Sequence, residues 1–122
     1  MKINVVNIIE SDVYCKNEFG EFIVKWASDL PCINKFYYIE LDIIDELKWG
    51  VNVLLSDSLN NKILNIHGFI QLHGLLEFVD DDYAVLRIDN YIIPFICHGN
   101  AFKNESYIYL NVKHLLAFPI EY

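Results

Sequence analysis

Leu64-Asn65-Ile66-His67-Gly68-Phe69-Ile70-Gln71-Leu72-His73 is the stretch that decides the fold class. Leu64, Ile66, Gly68, Ile70 and Leu72 alternate with Asn65, His67, Phe69, Gln71 and His73. A period of two puts alternate side chains on opposite faces of a strand, and a helical stripe has a different spacing. The stretch predicts one long strand. Gly68 or Gly74 would bend it, as the corners of a barrel require.

Upstream the same period recurs. Tyr37, Ile39, Leu41 and Ile43 lie on one face, with Tyr38, Glu40 and Asp42 on the other. That is a half-solvated strand. Lys2 to Ile9 and Glu21 to Ala27 read as two earlier strands. Asn17-Glu18-Phe19-Gly20 has turn chemistry before the second, and Ser28-Asp29-Leu30-Pro31 ends it. Trp49, Val51, Val53 and Leu55 alternate with Gly50, Asn52 and Leu54, and Ser56 to Asn61 is a turn. Downstream, Leu76 and Phe78 lead to an Asp80-Asp81-Asp82 turn. Ala84, Leu86 and Ile88 then alternate with Val85, Arg87 and Asp89, and Asp89-Asn90 turns the chain. Pro94 marks Tyr91 to Ile96 as an edge or bulged strand. Ile108, Leu110 and Val112 alternate with Tyr107, Tyr109 and Asn111. Asp42 to Lys48 and Val112 to Phe118 each have spacing for one helical turn, and Pro119 forbids a longer helix.

About eight or nine short strands at roughly ten-residue spacing predict an all-β chain, or a β-rich α+β one. The expected architecture is a compact antiparallel barrel or sandwich. Long strands with glycine bends favour the barrel. At 122 residues the chain reads as one domain, 1–122, with no linker or repeat. Hydrophobic residues make up 54% and charged residues 21%, a balance that excludes intrinsic disorder. The apolar residues are mostly branched or aromatic, which suits a pleated surface.

The formal charge of −8, with Arg87 the only arginine, argues against nucleic acid and anionic lipid, both of which select basic patches. Cys15, Cys32 and Cys97 are an odd, dispersed set without a CxxC pair. The N-terminal residues lack a signal-peptide apolar run. A reducing cytoplasm is the expected setting.

Few residues carry the signature of catalysis. His67, His73 and the Cys97-His98 pair are the best metal candidates. On one strand, however, His67 and His73 would stand about 20 Å apart, and no zinc spacing is present. No cysteine sits at a strand-to-helix elbow, so a Cys–His nucleophile lacks its usual support. No P-loop, dinucleotide fingerprint or nucleophile elbow occurs. The reading is a non-enzyme without cofactor or metal.

Acids and tyrosines remain. Glu40, Asp42, Asp45 and Glu46 form one acidic group between Lys35 and Lys48, and Glu77, Asp80, Asp81 and Asp82 form another. Such runs are solvated faces or docking faces, and a negative field speeds the approach of a basic partner. Tyr38, Tyr107 and Tyr109 fall on polar strand faces and Tyr83 adjoins the acidic turn. Tyrosine there serves cross-strand packing or anchors an interface. These are the candidate partner-binding residues, acids to steer and tyrosines to anchor.

Asp82-Tyr83-Ala84-Val85-Leu86-Arg87-Ile88-Asp89, Tyr107-Ile108-Tyr109-Leu110-Asn111-Val112 and Leu116-Ala117-Phe118-Pro119 give the C-terminal half a resemblance in style to small bacterial immunity proteins. These proteins neutralise toxins of contact-dependent growth inhibition and related systems. The resemblance implies a cytoplasmic inhibitor that occludes a basic toxin domain, often a nuclease, and it assigns no individual residue. The alternative from the residues is a small OB-like barrel that binds nucleic acid or a small ligand through aromatics. A third is a small hydrolase built on clustered carboxylates or a Cys–His pair.

Overall fold

The computed structural model describes residues 1–57 and 60–120. The expected turn at Ser56 to Asn61 thus has its centre, Ser58 and Leu59, outside the described residues. The chain is all-β. Among the described residues twelve strands are arranged as a closed barrel and a seven-stranded sheet. No helix among the described residues is long and apolar enough to cross a membrane.

The barrel uses β1 (Lys2–Ile9), β2 (Asp12–Asn17), β3 (Gly20–Trp26), β4 (Phe36–Ile43) and β12 (Leu115–Pro119). They close in the order β1-β2-β3-β12-β4 and back to β1. All these pairs are antiparallel except β3 with β12, which is parallel. The alternation predicted for β4 is realised: Ile39, Leu41 and Ile43 are buried, and Tyr38 and Glu40 are exposed.

Between β4 and β12 the chain builds the sheet. Its strands are β5 (Glu46–Lys48), β6 (Val53–Leu55), β7 (Lys62–Ile66), β8 (Phe69–Asp80), β9 (Tyr83–Ile88), β10 (Tyr91–His98) and β11 (Tyr107–Val112). The order is β5-β10-β9-β8-β11-β6, with β7 also on β8. β7 and β9 share one edge of β8, because Lys62 to Ile66 pair with Phe69 to His73 whereas β9 pairs with Leu75 to Asp80.

Several local expectations are corrected. The long strand through Gly68 is a hairpin. His67 and Gly68 both have positive φ, 50° and 81°, and Ile66 pairs with Phe69 across them. Two such residues make the turn whose twist matches the flanking strands. The two-residue turn inverts the phase of the alternation, so Ile63 rather than Leu64 reaches the core beside Leu72. The helical turn expected at Asp42 to Lys48 is instead the end of β4 and the start of the parallel β5–β10 pair. That expected at Val112 to Phe118 is β12, for Leu115 and Ala117 alternate into the core. Trp49 to Leu55 is a turn followed by β6. The Val51 and Asn52 amides both donate to the Lys48 carbonyl, which leaves Val51 exposed. β2 had no sequence expectation.

One buried cluster runs through both regions, from Ile3, Val13 and Phe22 of the barrel to Leu72, Leu86 and Phe95 of the sheet. At the joint, the Ile63 amide donates to the Phe19 carbonyl at 3.0 Å, and Phe19 packs edge-on to Tyr91 at 6.2 Å.

Candidate functional site

Residues paired across strands show their side chains on the same face. The register therefore places Glu46 of β5, Ile96 of β10, Tyr83 of β9 and Asp80 of β8 in one row. The next rows are Pro94–Val85–Phe78 and Ile92–Arg87–Leu75–Tyr107. Opposite them Ala84, Leu86, Ile93, Phe95 and Cys97 point into the core, so these rows form the outer face of the sheet.

This face is apolar at its centre and acidic at one end. Phe78 and Tyr83 are each 45% exposed and stand edge-to-face at 6.4 Å. Ile96 and Ile92 are also exposed, at 38% and 62%, while Val85 is covered, at 8%. Phe78 reaches the surface through an irregularity in β8. The register shifts between Leu76 and Phe78, so that Leu76 points inward, Phe78 outward and Val79 back toward the core. Without that extra residue Phe78 would share the buried face of Leu76.

The acidic end is ordered by His98. Its Nε2 lies 2.9 Å from Glu46 Oε1 and its Nδ1 3.4 Å from Asp82 Oδ2. The hydrogen bond it donates to Glu46 and the nearby Asp82 charge raise its pKa above the usual 6.5. Asp80 and Asp81 are exposed beside it, Asp81 at a positive φ of 56° that turns the chain.

Glu77 has a different task. Arg87 grips it through two bonds, Nε to Oε2 at 2.6 Å and Nη2 to Oε1 at 2.7 Å. The Arg87 hydrogen bond and charge hold the Glu77 carboxyl below the usual range. The one arginine is thereby neutralised on the face, leaving the charge at its acidic end to Glu46, Asp80, Asp81 and Asp82 against Lys48. Tyr109 stacks on His73 at 5.0 Å, with the planes 18° apart, and Tyr107 is half-buried next to Leu75.

The other candidate residues lie on the barrel or at its junction. Glu40 is exposed opposite Phe118, and Asp42 is half-buried opposite Leu116. Tyr38 is exposed with the Lys2 ammonium over its ring at 5.9 Å. Asp45 accepts the Lys113 amide at 2.7 Å and so pins the chain where it returns to β12. The two acidic groups of the sequence are therefore divided, with Glu46 joining the second group on the sheet.

Among the described residues no group of three or more His, Cys, Asp or Glu is placed to hold a metal ion. His67 sits on the β7–β8 turn, while His73 and His98 belong to β8 and β10. Burial pushes the Cys15 and Cys97 thiols up to about 12, Cys97 with help from Asp82, which disfavours their thiolates. No protein family, curated protein or solved structure matches the chain.

Proposed function

We propose that the protein is a non-enzymatic inhibitor of the immunity type, which binds a basic toxin domain in the cytoplasm and occludes it with the outer face of its sheet. The observation that carries the reading is the row Glu46–Ile96–Tyr83–Asp80 beside Phe78. It combines what an interface needs: exposed aromatic and aliphatic anchors at the centre, and charge at the rim. The charge is predominantly negative, four acids against Lys48, so the complementary partner is basic. Rim acids accelerate its approach, and Tyr83 and Phe78 supply burial once it has docked. Tyr107 extends the apolar centre toward β11.

The test is affinity capture from the native lysate at low and high salt, followed by binding of the purified partner. A stoichiometric basic protein is expected, lost as salt rises. Tyr83→Ala should weaken it by about tenfold or more, and Asp80→Lys should mainly slow association. Tyr38→Ala, on the barrel, should leave it unchanged. Co-expression should relieve the partner's toxicity. A partner that senses Tyr38 and ignores Tyr83 would place the interface elsewhere.

The second reading is an OB-type ligand binder, and the barrel favours it. Five strands close with the third and last parallel, the connectivity of OB-type barrels. A shallow groove of about 310 Å³ lies on its β2–β3 side, lined by Val6, Tyr14, Glu21 and Ile23 among others. Tyr14 is the one aromatic there that is not core, which is poor equipment for stacking bases. Absence of any low-salt anisotropy change with labelled single-stranded DNA and RNA would eliminate it.

A further inference from the structure

We infer that His98 is a proton-operated latch on the docking face. When charged it occupies Glu46 and Asp82, and when neutral it frees them to attract the basic partner. The inference rests on the docking reading above.

The geometry is that of a bridge. His98 lies on β10, Glu46 on the adjacent β5, and Asp82 in the turn between β8 and β9. The two ring nitrogens address two different carboxylates. An imidazolium donates from both nitrogens, whereas a neutral ring has one N–H and one lone pair. Neutral His98 can satisfy one carboxylate and turns a lone pair toward the other. Deprotonation therefore makes the acidic end more negative by one charge and releases at least one carboxylate from its internal partner.

The other charged groups around the ring are few. Lys48 pairs with His98 in register on β5, on the same face, and is exposed. Asp81 follows Asp80 in the turn and is also exposed. The backbone does not depend on the latch. Leu47 is buried, Glu46 to Lys48 pair with Ile96 to His98, and the Trp49 amide donates to the His98 carbonyl at 3.0 Å. Only side chains need move. Since the ring is half-exposed and faces both acids, its proton is held to a pH above the usual 6.5.

The consequence is a partner bound more weakly on the acid side of neutrality. The test combines an NMR titration of the His98 ring with binding of octalysine, tetramethylrhodamine-labelled on its α-amino group, at low ionic strength. The lysine side chains stay charged from pH 6 to pH 8 and neither the rhodamine nor the blocked α-amino group titrates there, so changes report on the protein. Octalysine affinity should rise roughly threefold across that range in the wild type. His98→Asn should remove most of the rise, and Glu46→Gln or Asp82→Asn should lower the titration midpoint of the His98 ring. A rise that persists undiminished in His98→Asn, or a midpoint indifferent to both acids, overturns the latch. Binding that ignores Asp80→Lys instead removes the docking face and the latch's role with it, whatever the ring titration shows.

Discussion

The barrel and the sheet meet the exposed-edge problem in opposite ways. Each barrel strand has a neighbour on both sides, so the barrel offers little edge for pairing. The sheet ends openly at β5 and β6, each only three residues long. β10 meets β5 over Ile96 to His98 alone, which leaves Tyr91 to Phe95 as an edge. Ile88 and Tyr91 close a two-residue hairpin, so Ile92 and Pro94 turn their backbone groups away from β9. Proline has no N–H to present there, and the edge is blunted where it is longest. Closure thus makes the barrel a scaffold. The open sheet instead offers a broad outer face whose rows of side chains a partner can cover.

Whether the two regions are also two folding units is tested by the largest expected effect. Phe22 fills the barrel core and Phe95 the sheet core, both 2% exposed. Phe22→Ala and Phe95→Ala should each cost about 3–5 kcal/mol. That is a large part of the 5–15 kcal/mol typical of a whole domain. Because a single buried cluster spans both regions, either change should lower one shared transition. The tryptophans are the reporters: Trp26 is on β3, and Trp49 packs on Phe95 at 6.1 Å and Phe102 at 5.1 Å. Denaturation of single-tryptophan variants should give coincident curves. Separate curves, with Phe95→Ala shifting only that of Trp49, would divide the molecule at the junction.

A smaller effect sharpens the comparison inside the sheet. A Cβ on Gly74 would lie 2.3 Å from the Arg87 carbonyl oxygen, which is backbone and cannot swing away. Gly74 sits where β8 leaves β7 and takes up β9, so strands must approach closely there. A Cβ on Gly68 meets nothing within 4 Å, and its only difficulty is a φ of 81°. Gly74→Ala should cost about 3 kcal/mol and Gly68→Ala about 1–2 kcal/mol, measured by urea denaturation. Equal costs would mean that β8 and β9 can shift apart at no penalty.

These two glycines also mark how far the sequence could be read. Either was expected to bend one long strand. One makes a hairpin and the other a close crossing. Local alternation hides the first, because pairing Ile66 with Phe69 puts residues three apart on one face and the apolar run from Leu64 to Leu72 changes faces at the turn. β4 and β9 were legible, since one face is wet and the other dry. β2 carries the same signal, Val13 and Cys15 alternating with Tyr14 and Lys16, but its six residues are short and Cys15 serves there as a small core residue. The acids and tyrosines of the candidate face were visible as residue types. Their division was not, because Glu46 reaches His98 through a parallel pair 52 residues apart in sequence. His98 was weighed as a metal ligand, and only the strand order reveals it as the partner of two acids.

The finest comparison is between two histidines of this one sheet. Desolvation and the Lys62 charge lower the pKa of His73, half-buried under Tyr109, whereas Glu46 and Asp82 raise that of His98. Their effects on stability have opposite signs. Between the lowered folded value of His73 and 6.5, the unfolded chain binds more protons at that site, so stability rises with pH. Between 6.5 and the raised folded value of His98, the folded chain binds more, so stability falls as pH rises. His98's contribution is complete below 6.5 and is lost through its folded pKa. Urea midpoints of the wild type and of His98→Asn should therefore differ most below 6.5 and converge above the folded pKa of His98. Those of His73→Gln should differ from the wild type in the opposite sense, with the wild type losing ground as pH falls below 6.5. Groups common to both proteins cancel in each difference. A pH-independent difference for His98→Asn would mean that the ring is held by packing, and that its bonds to Glu46 and Asp82 carry no protonation energy.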